Sequence, residues 1–169
     1  MASLRTNLCG SNRKMWLFDS FEGMPEATSM DIGEKAGELA KNRMSGGLIP
    51  VGTTVAAIDE VKTLLFKKLH LDEDNIILVK GWFQHTVPKY KSQIGPISIL
   101  RVDGDWYEST KVCLENLYDN VVKDGYIIID DYGWFPGCKS AVDEFIERRK
   151  LKVELKKVDY SRVYFQKCE

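Results

Sequence analysis

Short apolar runs of strand length alternate with segments of helical period, which predicts a doubly wound α/β sheet. A closing pair of runs joined by a short polar turn predicts that the sheet ends in an antiparallel hairpin. Two of the runs also end in acid. ISILRV (97–102) is closed by Asp103, and YIII (126–129) by Asp130 and Asp131. Continuous apolar runs read as buried parallel strands, and ligands of open α/β sheets bind beyond the carboxyl ends of their strands. Three carboxylates therefore stand where a site is expected. Oxygen donors without His or Cys suit a hard divalent cation, Mg²⁺, Mn²⁺ or Ca²⁺, rather than Zn²⁺.

Taken in order, MWLF (15–18) is a strand closed by Asp19 and followed by the turn-like EGMP (22–25). Residues 26–52 are weakly apolar and hold several glycines, so a mobile flap is expected there. From Thr54 the spacing of Val55, Ile58, Val61 and Leu65 predicts an amphipathic helix capped by Thr53 or Thr54. IILV (76–79) is the next strand, ending at Gly81. After the Asp103 strand, Cys113, Leu114, Leu117, Tyr118 and Val121 mark one helix face, and Asp124–Gly125 turns the chain into the Asp130 strand. Pro136 suits the first turn of a helix that carries Ala141, Val142, Phe145 and Ile146 inward. Strands at 153–158 and 163–166 flank the polar 159–162. No repeat divides the chain, and residues 1–169 read as one domain.

Composition narrows the function classes. With 24 basic against 25 acidic residues and a pI near 6.2, no global field favours nucleic acid or an anionic membrane. Lys67–Lys68 and Arg148–Lys150 read as solvated helix faces. The cysteines Cys9, Cys113, Cys138 and Cys168 form no CxxC, which argues against a zinc ribbon or a dithiol redox centre. No apolar stretch of about 18 residues exists, and the polar N-terminus lacks the apolar core of a signal peptide. A soluble, cytoplasmic chain with no nucleic-acid or membrane partner is the expectation.

Crowded carboxylates repel one another unless a cation or a proton intervenes. Mg²⁺ takes few protein carboxylates and keeps positions for water and substrate, and a metal ion in such a place lowers the pKa of a substrate hydroxyl and orients it. Asp19 has two readings: an acid at the tip of an early strand accepts ribose hydroxyls in dinucleotide folds, and Asp also caps loops. Trp106, Tyr107, Trp134 and Phe135 flank the acidic clusters, where they either stack on a sugar ring or pack the strand ends. Cys113 and Cys138 read as buried thiols, and His70 as a helix end.

Four segments carry a family resemblance: WLFDSFEGMP (16–25), GWF (81–83) with TVP (86–88), RVDGDWYEST (101–110), and DDYGWFPGCKSAVDEF (130–145). Together they resemble the macrocin O-methyltransferase family, S-adenosylmethionine- and Mg²⁺-dependent enzymes that methylate sugar hydroxyls. The resemblance runs from residue 15 to the end of the chain. It implies a Rossmann-like methyltransferase sheet and a small, hydroxylated, sugar-like acceptor. Residue by residue, it makes Asp103, Asp130 and Asp131 the metal ligands and Asp103 the general base. Asp19 and Ser20 match the contacts to the adenosyl ribose, while Gly81, Trp82 and Phe83 match the adenine side. Related catechol methyltransferases use a lysine base where this chain has Trp106.

The chain departs from the family in two places. Nothing in residues 1–14 reads as the family's first strand and its glycine-rich turn, and CGSN (9–12) holds one glycine with no apolar strand before it. An N-terminally incomplete sheet with unpaired edges is thus expected, open to closing up or to filling by another chain as a homo-oligomer. His85 also stands where the family has Asp, either as an exposed loop residue or beside the acceptor. Two other classes stay open on the residues alone. AspGlyAsp at 103–105 matches the metal and nucleotide-sugar pattern of glycosyltransferases, and an incomplete sheet also fits a non-catalytic binding or oligomerisation module.

Overall fold

The computed structural model describes residues 13–31 and 33–168; the segment 9–12 discussed above lies outside them. Among the described residues the strands fall into two sheets. β1 (Met15–Asp19) pairs in parallel with β2 (Ile76–Lys80), with Asp19 opposite Lys80. The second sheet has the order β3 (Ile97–Val102), β4 (Val121–Ile129), β6 (Val163–Gln166), β5 (Lys156–Lys157). β3 and β4 are parallel, and β6 runs antiparallel to both β4 and β5. The α/β fold and its closing hairpin are as expected. All four parallel strands end toward one edge, so Asp19, Asp103 and Asp130 collect there. Among the described residues no helix is long and apolar enough to cross a membrane.

Two helices build the core over the larger sheet. α4 (Tyr107–Leu117) and α5 (Pro136–Arg148) pack on each other. Thr110, Cys113, Leu114 and Leu117 face inward from one, and Cys138, Ala141, Val142 and Phe145 from the other. They meet Leu100, Val102, Ile127, Ile129 and Phe165 from the sheet. Pro136 opens α5 at its first position, where its missing N–H has no helical partner to lose. Both inner cysteines are buried, and burial pushes their thiols up to about 12, so neither is a thiolate at neutral pH.

Several elements differ from expectation for local reasons. The segment 26–52 is not a free flap. Ala27, Ala36, Ala40, Val51 and Asp31 are buried in it, it holds the short helix α1 (Glu34–Leu39), and backbone bonds close it from Met24 N to Thr53 O and from Val51 N to Met24 O. Small side chains made it look weakly apolar while letting it pack tightly. Thr53 is spent on that closure, its hydroxyl donating to Leu39 O at 2.8 Å, and Thr54 sits at φ +52°. The helix expected at Thr54 therefore starts later, as α2 (Ile58–Lys62), and runs into a π-helical turn, Thr63–Lys68. An unforeseen helix, α3 (Phe83–Ile94), spans Pro88, which reads as a breaker but lies in its second turn. Val121 opens β4 rather than closing a helix, and Asp124 (φ +63°) makes a kink inside the strand instead of a turn before it. The segment 151–155 is not a strand, leaving β5 with two residues.

Candidate functional site

An open cleft lies where the two sheets face each other. Asp19, Ser20, Trp82 and Phe83 line it on the side of the small sheet, and Asp103, Gly104, Asp105 and Trp106 on the side of the large one. Four of the five residues assigned to the adenosyl group thus share one cleft with one of the three assigned to metal. Gly81 stands behind the small-sheet side: its N–H donates to Asp19 O at 2.9 Å, and at φ +137° it turns the chain from β2 into α3. A Cβ there would come 2.9 Å from Thr86 Cγ2. Asp19 Oδ1 accepts from Phe21 N at 2.6 Å, an Asx turn that fixes the carboxylate in the lining of the cleft and leaves Oδ2 to offer. Ser20 is buried, and its hydroxyl is spent within the turn, donating to Gly23 O and accepting from Glu22 N. Its place in the site is to shape the loop.

The acidic end is more crowded than the sequence indicated. Carboxylate oxygens of Asp103, Asp105 and Asp131 all lie within 4.8 Å of one another. Asp105 was not among the expected site residues. Its signal, the AspGlyAsp spacing, was visible, but its place depends on a left-handed backbone at φ +52° that brings its carboxyl against that of Asp131. Burial, and then the neighbouring carboxylates, hold the pKa of Asp105 well above the ordinary range. Burial also raises Asp131. Asp103, pushed up by burial, is drawn back by Arg101, whose guanidinium lies 2.7 Å away.

Asp130 adjoins this group differently. Its Oδ1 takes both Arg101, at 2.9 Å, and Arg162 Nε, at 2.7 Å. Both arginines use the same oxygen, which leaves Oδ2 as the atom Asp130 can offer.

The donor set fits a hard divalent cation. Two carboxylates have no hydrogen to give each other, so the approach of Asp105 to Asp131 requires a proton or a cation between them. Asp131 Oδ2 is buried and has no hydrogen-bond partner among the described residues. A buried charged oxygen left in that state is costly unless something binds it.

The aromatic residues around the clusters divide. Trp106, Tyr107 and Phe135 are buried and structural, and the Trp106 indole donates to Pro25 O at 3.1 Å. Trp134 is 39% exposed, beneath Lys35 and edge-on to Tyr160. His85 is exposed on α3, and His70 is exposed after the π-helical turn.

A family model described as Macrocin-O-methyltransferase (TylF) matches residues 1–167. The chain belongs to that family. Among its relatives, the demethyldecarbamoylnovobiocin O-methyltransferase of Streptomyces niveus is 36% identical over 156 residues, which are 92% of this chain and 56% of that protein. The mycinamicin III 3''-O-methyltransferase of Micromonospora griseorubida is 30% identical over 156 residues, 92% of this chain and 58% of that one. The chain thus spans about half the length of these curated family members. Among solved structures, the O-methyltransferase NovP superposes with a TM-score of 0.79 at 34% identity, over 98% of this chain and 64% of that chain. The calicheamicin methyltransferase CalS11 shares the fold, with a TM-score of 0.73 at 21% identity.

Proposed function

We propose that the chain forms the cofactor, metal and acceptor cleft of an S-adenosylmethionine-dependent O-methyltransferase acting on a hydroxyl of a sugar-bearing small molecule. The observation that carries this reading is the shared cleft: an acidic cluster with an orphaned Asp131 oxygen opens onto the same space as Asp19, Trp82 and Phe83. The acceptor class rests on the family, whose relatives are named for methylation of novobiocin and mycinamicin precursors.

Asp103 and Asp131, with Asp130 through its free oxygen, are the groups to hold Mg²⁺. When bound, the ion supplies Lewis acidity that lowers the pKa of the acceptor hydroxyl and fixes its direction. Asp105, ionised when a bound cation takes the place of the proton it would otherwise share with Asp131, would take the hydroxyl proton. It lines the cleft and has no arginine beside it, whereas Asp103, the base implied by the resemblance, is committed to Arg101. Asp19 orients the ribose through its free oxygen, and Trp82 and Phe83 cover the adenine. Methyl transfer is an in-line displacement, so holding nucleophile and methyl donor in line accounts for most of the rate. Buried Trp106 closes the floor of the cleft against water.

Calorimetric titration with S-adenosylhomocysteine, and separately with Mn²⁺, tests the reading. Saturable binding of the first that Asp19→Ala abolishes, and of the second that Asp131→Asn abolishes, is expected. A folded chain that binds neither rejects it. One feature favours a second reading, a non-catalytic assembly module: among the described residues β1 and β3 each have a strand on one side only. Concentration-dependent self-association in sedimentation, without ligand binding, is its signature.

A further inference from the structure

The most deeply buried acid outside the cleft is Asp31, 1% exposed within the packed segment that leaves β1. Its Oδ1 accepts from Tyr107 N, the first residue of α4, at 2.7 Å. Its Oδ2 accepts from Thr28 N at 2.9 Å and from the Thr28 hydroxyl at 2.8 Å. Against Oδ1, the oxygen that accepts from Tyr107 N, lies Gly137, the second residue of α5. A Cβ built there would fall 1.9 Å from Asp31 Oδ1 and 3.0 Å from Tyr107 N. One carboxyl group therefore bonds the first turn of α4 and packs against the first turn of α5.

Those two helices are the ones that hang from the acidic strand ends. α4 begins two residues after Asp105, and α5 begins five residues after Asp131. The turn between Asp103 and Tyr107 includes the left-handed Asp105, a conformation open to aspartate and few other side chains. A carboxylate suits the clamp because it offers acceptors on both sides, to the α4 N–H and to Thr28. Glycine suits the opposite wall because any side chain at position 137 displaces the acid.

We propose that Asp31 is a positioning residue for the metal site: by fastening the first turns of α4 and α5 to one point, it sets Asp103 and Asp105 in register with Asp131. This rests on the metal reading given above. It ties the segment that lines the cofactor side of the cleft to the geometry of the acidic side.

The test is Mn²⁺ titration of the full chain, followed by the free-ion signal in electron paramagnetic resonance, with urea midpoints recorded in parallel. Substitutions of groups that orient ligands weaken metal binding about 10-fold or more, and that loss is expected for Asp31→Ala and for Gly137→Ala. The double variant should lose less than the sum of the two single losses, because the 1.9 Å approach to the carboxyl is gone and only the 3.0 Å approach to Tyr107 N is left. Asp31→Asn keeps one acceptor oxygen and should fold with an intermediate loss, so it decides the matter if Asp31→Ala does not fold. Folded variants with a lowered urea midpoint and wild-type Mn²⁺ affinity overturn the proposal, leaving Asp31 a purely structural residue. Additive losses in the double variant overturn it too. A wild-type chain that binds no Mn²⁺ overturns the metal reading itself, and this proposal with it.

Discussion

Asp105 and Asp131 show how a single side chain carries the tension between burial and charge. In the folded chain both hold their protons more tightly than in the unfolded one, chiefly through desolvation. A group whose folded pKa is raised stabilises the fold fully below its unfolded value and loses that contribution as pH rises through the folded value. In EDTA, the thermal midpoint should therefore fall as pH climbs from about 4, the ordinary carboxylate range, through neutrality. Asp105→Asn should flatten this dependence, and a midpoint as pH-sensitive as the wild type's would contradict the assignment. Asp103, Asp130 and Asp131 were legible in the sequence because each closes an apolar run. Asp105 left a signal in the AspGlyAsp spacing, but its place against Asp131 comes from backbone turned at one residue in a loop, which no hydrophobic period records.

Among the elements, those with a plain period or a terminal signal were readable, and those made by long-range closure were not. Pro136 and the inward stripe of α5 announced that helix. The segment 26–52 has no such stripe: it is held by backbone bonds and by side chains as small as alanine, so its order is written in partners far along the chain. Thr53 illustrates this, reading as a helix cap and serving instead as a clasp on Leu39 O. Thr53→Val removes the donor and should cost about 1 kcal/mol in urea unfolding. An unchanged midpoint would show that the clasp carries nothing. The loop after Asp131 is similarly pressed against the hairpin. Gly133 N donates to Ser161 O at 2.8 Å, and a Cβ on Gly133 would lie 2.3 Å from Tyr160 O. Gly133→Ala should destabilise by about 1–3 kcal/mol and move Arg162 away from Asp130. A midpoint equal to that of the wild type would rule out the close approach.

On the scale of the whole molecule, stability and chemistry are built in different places, the core between α4, α5 and the larger sheet, and the cleft beyond the strand ends of both sheets. Leu114, fully buried between α4 and the strands, has no part in the cleft. Leu114→Ala should lower stability by about 2–5 kcal/mol with Mn²⁺ affinity of the folded protein unchanged, and a parallel loss of affinity would show that core and site are not separable. The α/β alternation and the hairpin were legible because parallel strands and their helices leave long apolar signatures. The division into two sheets, with β1 and β3 each unpaired on one side among the described residues, agrees with the unpaired edges that the resemblance implied; strand order itself is decided by edges meeting across the chain, as β1 meets β2 about sixty residues on.

The two arginines at Asp130 bear on the order of events in the life of the protein. Arg101 and Arg162 already offset part of the negative charge of the four carboxylates, so the acidic end of the sheet can form without waiting for an ion. Small zinc domains, by contrast, stay unfolded until metal arrives. Far-UV circular dichroism should accordingly be the same in EDTA and in Mg²⁺. On the proposed metal reading, loading would then be an exchange with whatever divalent ion the surroundings supply, repeatable throughout the protein's lifetime, rather than a single event sealed in at its synthesis.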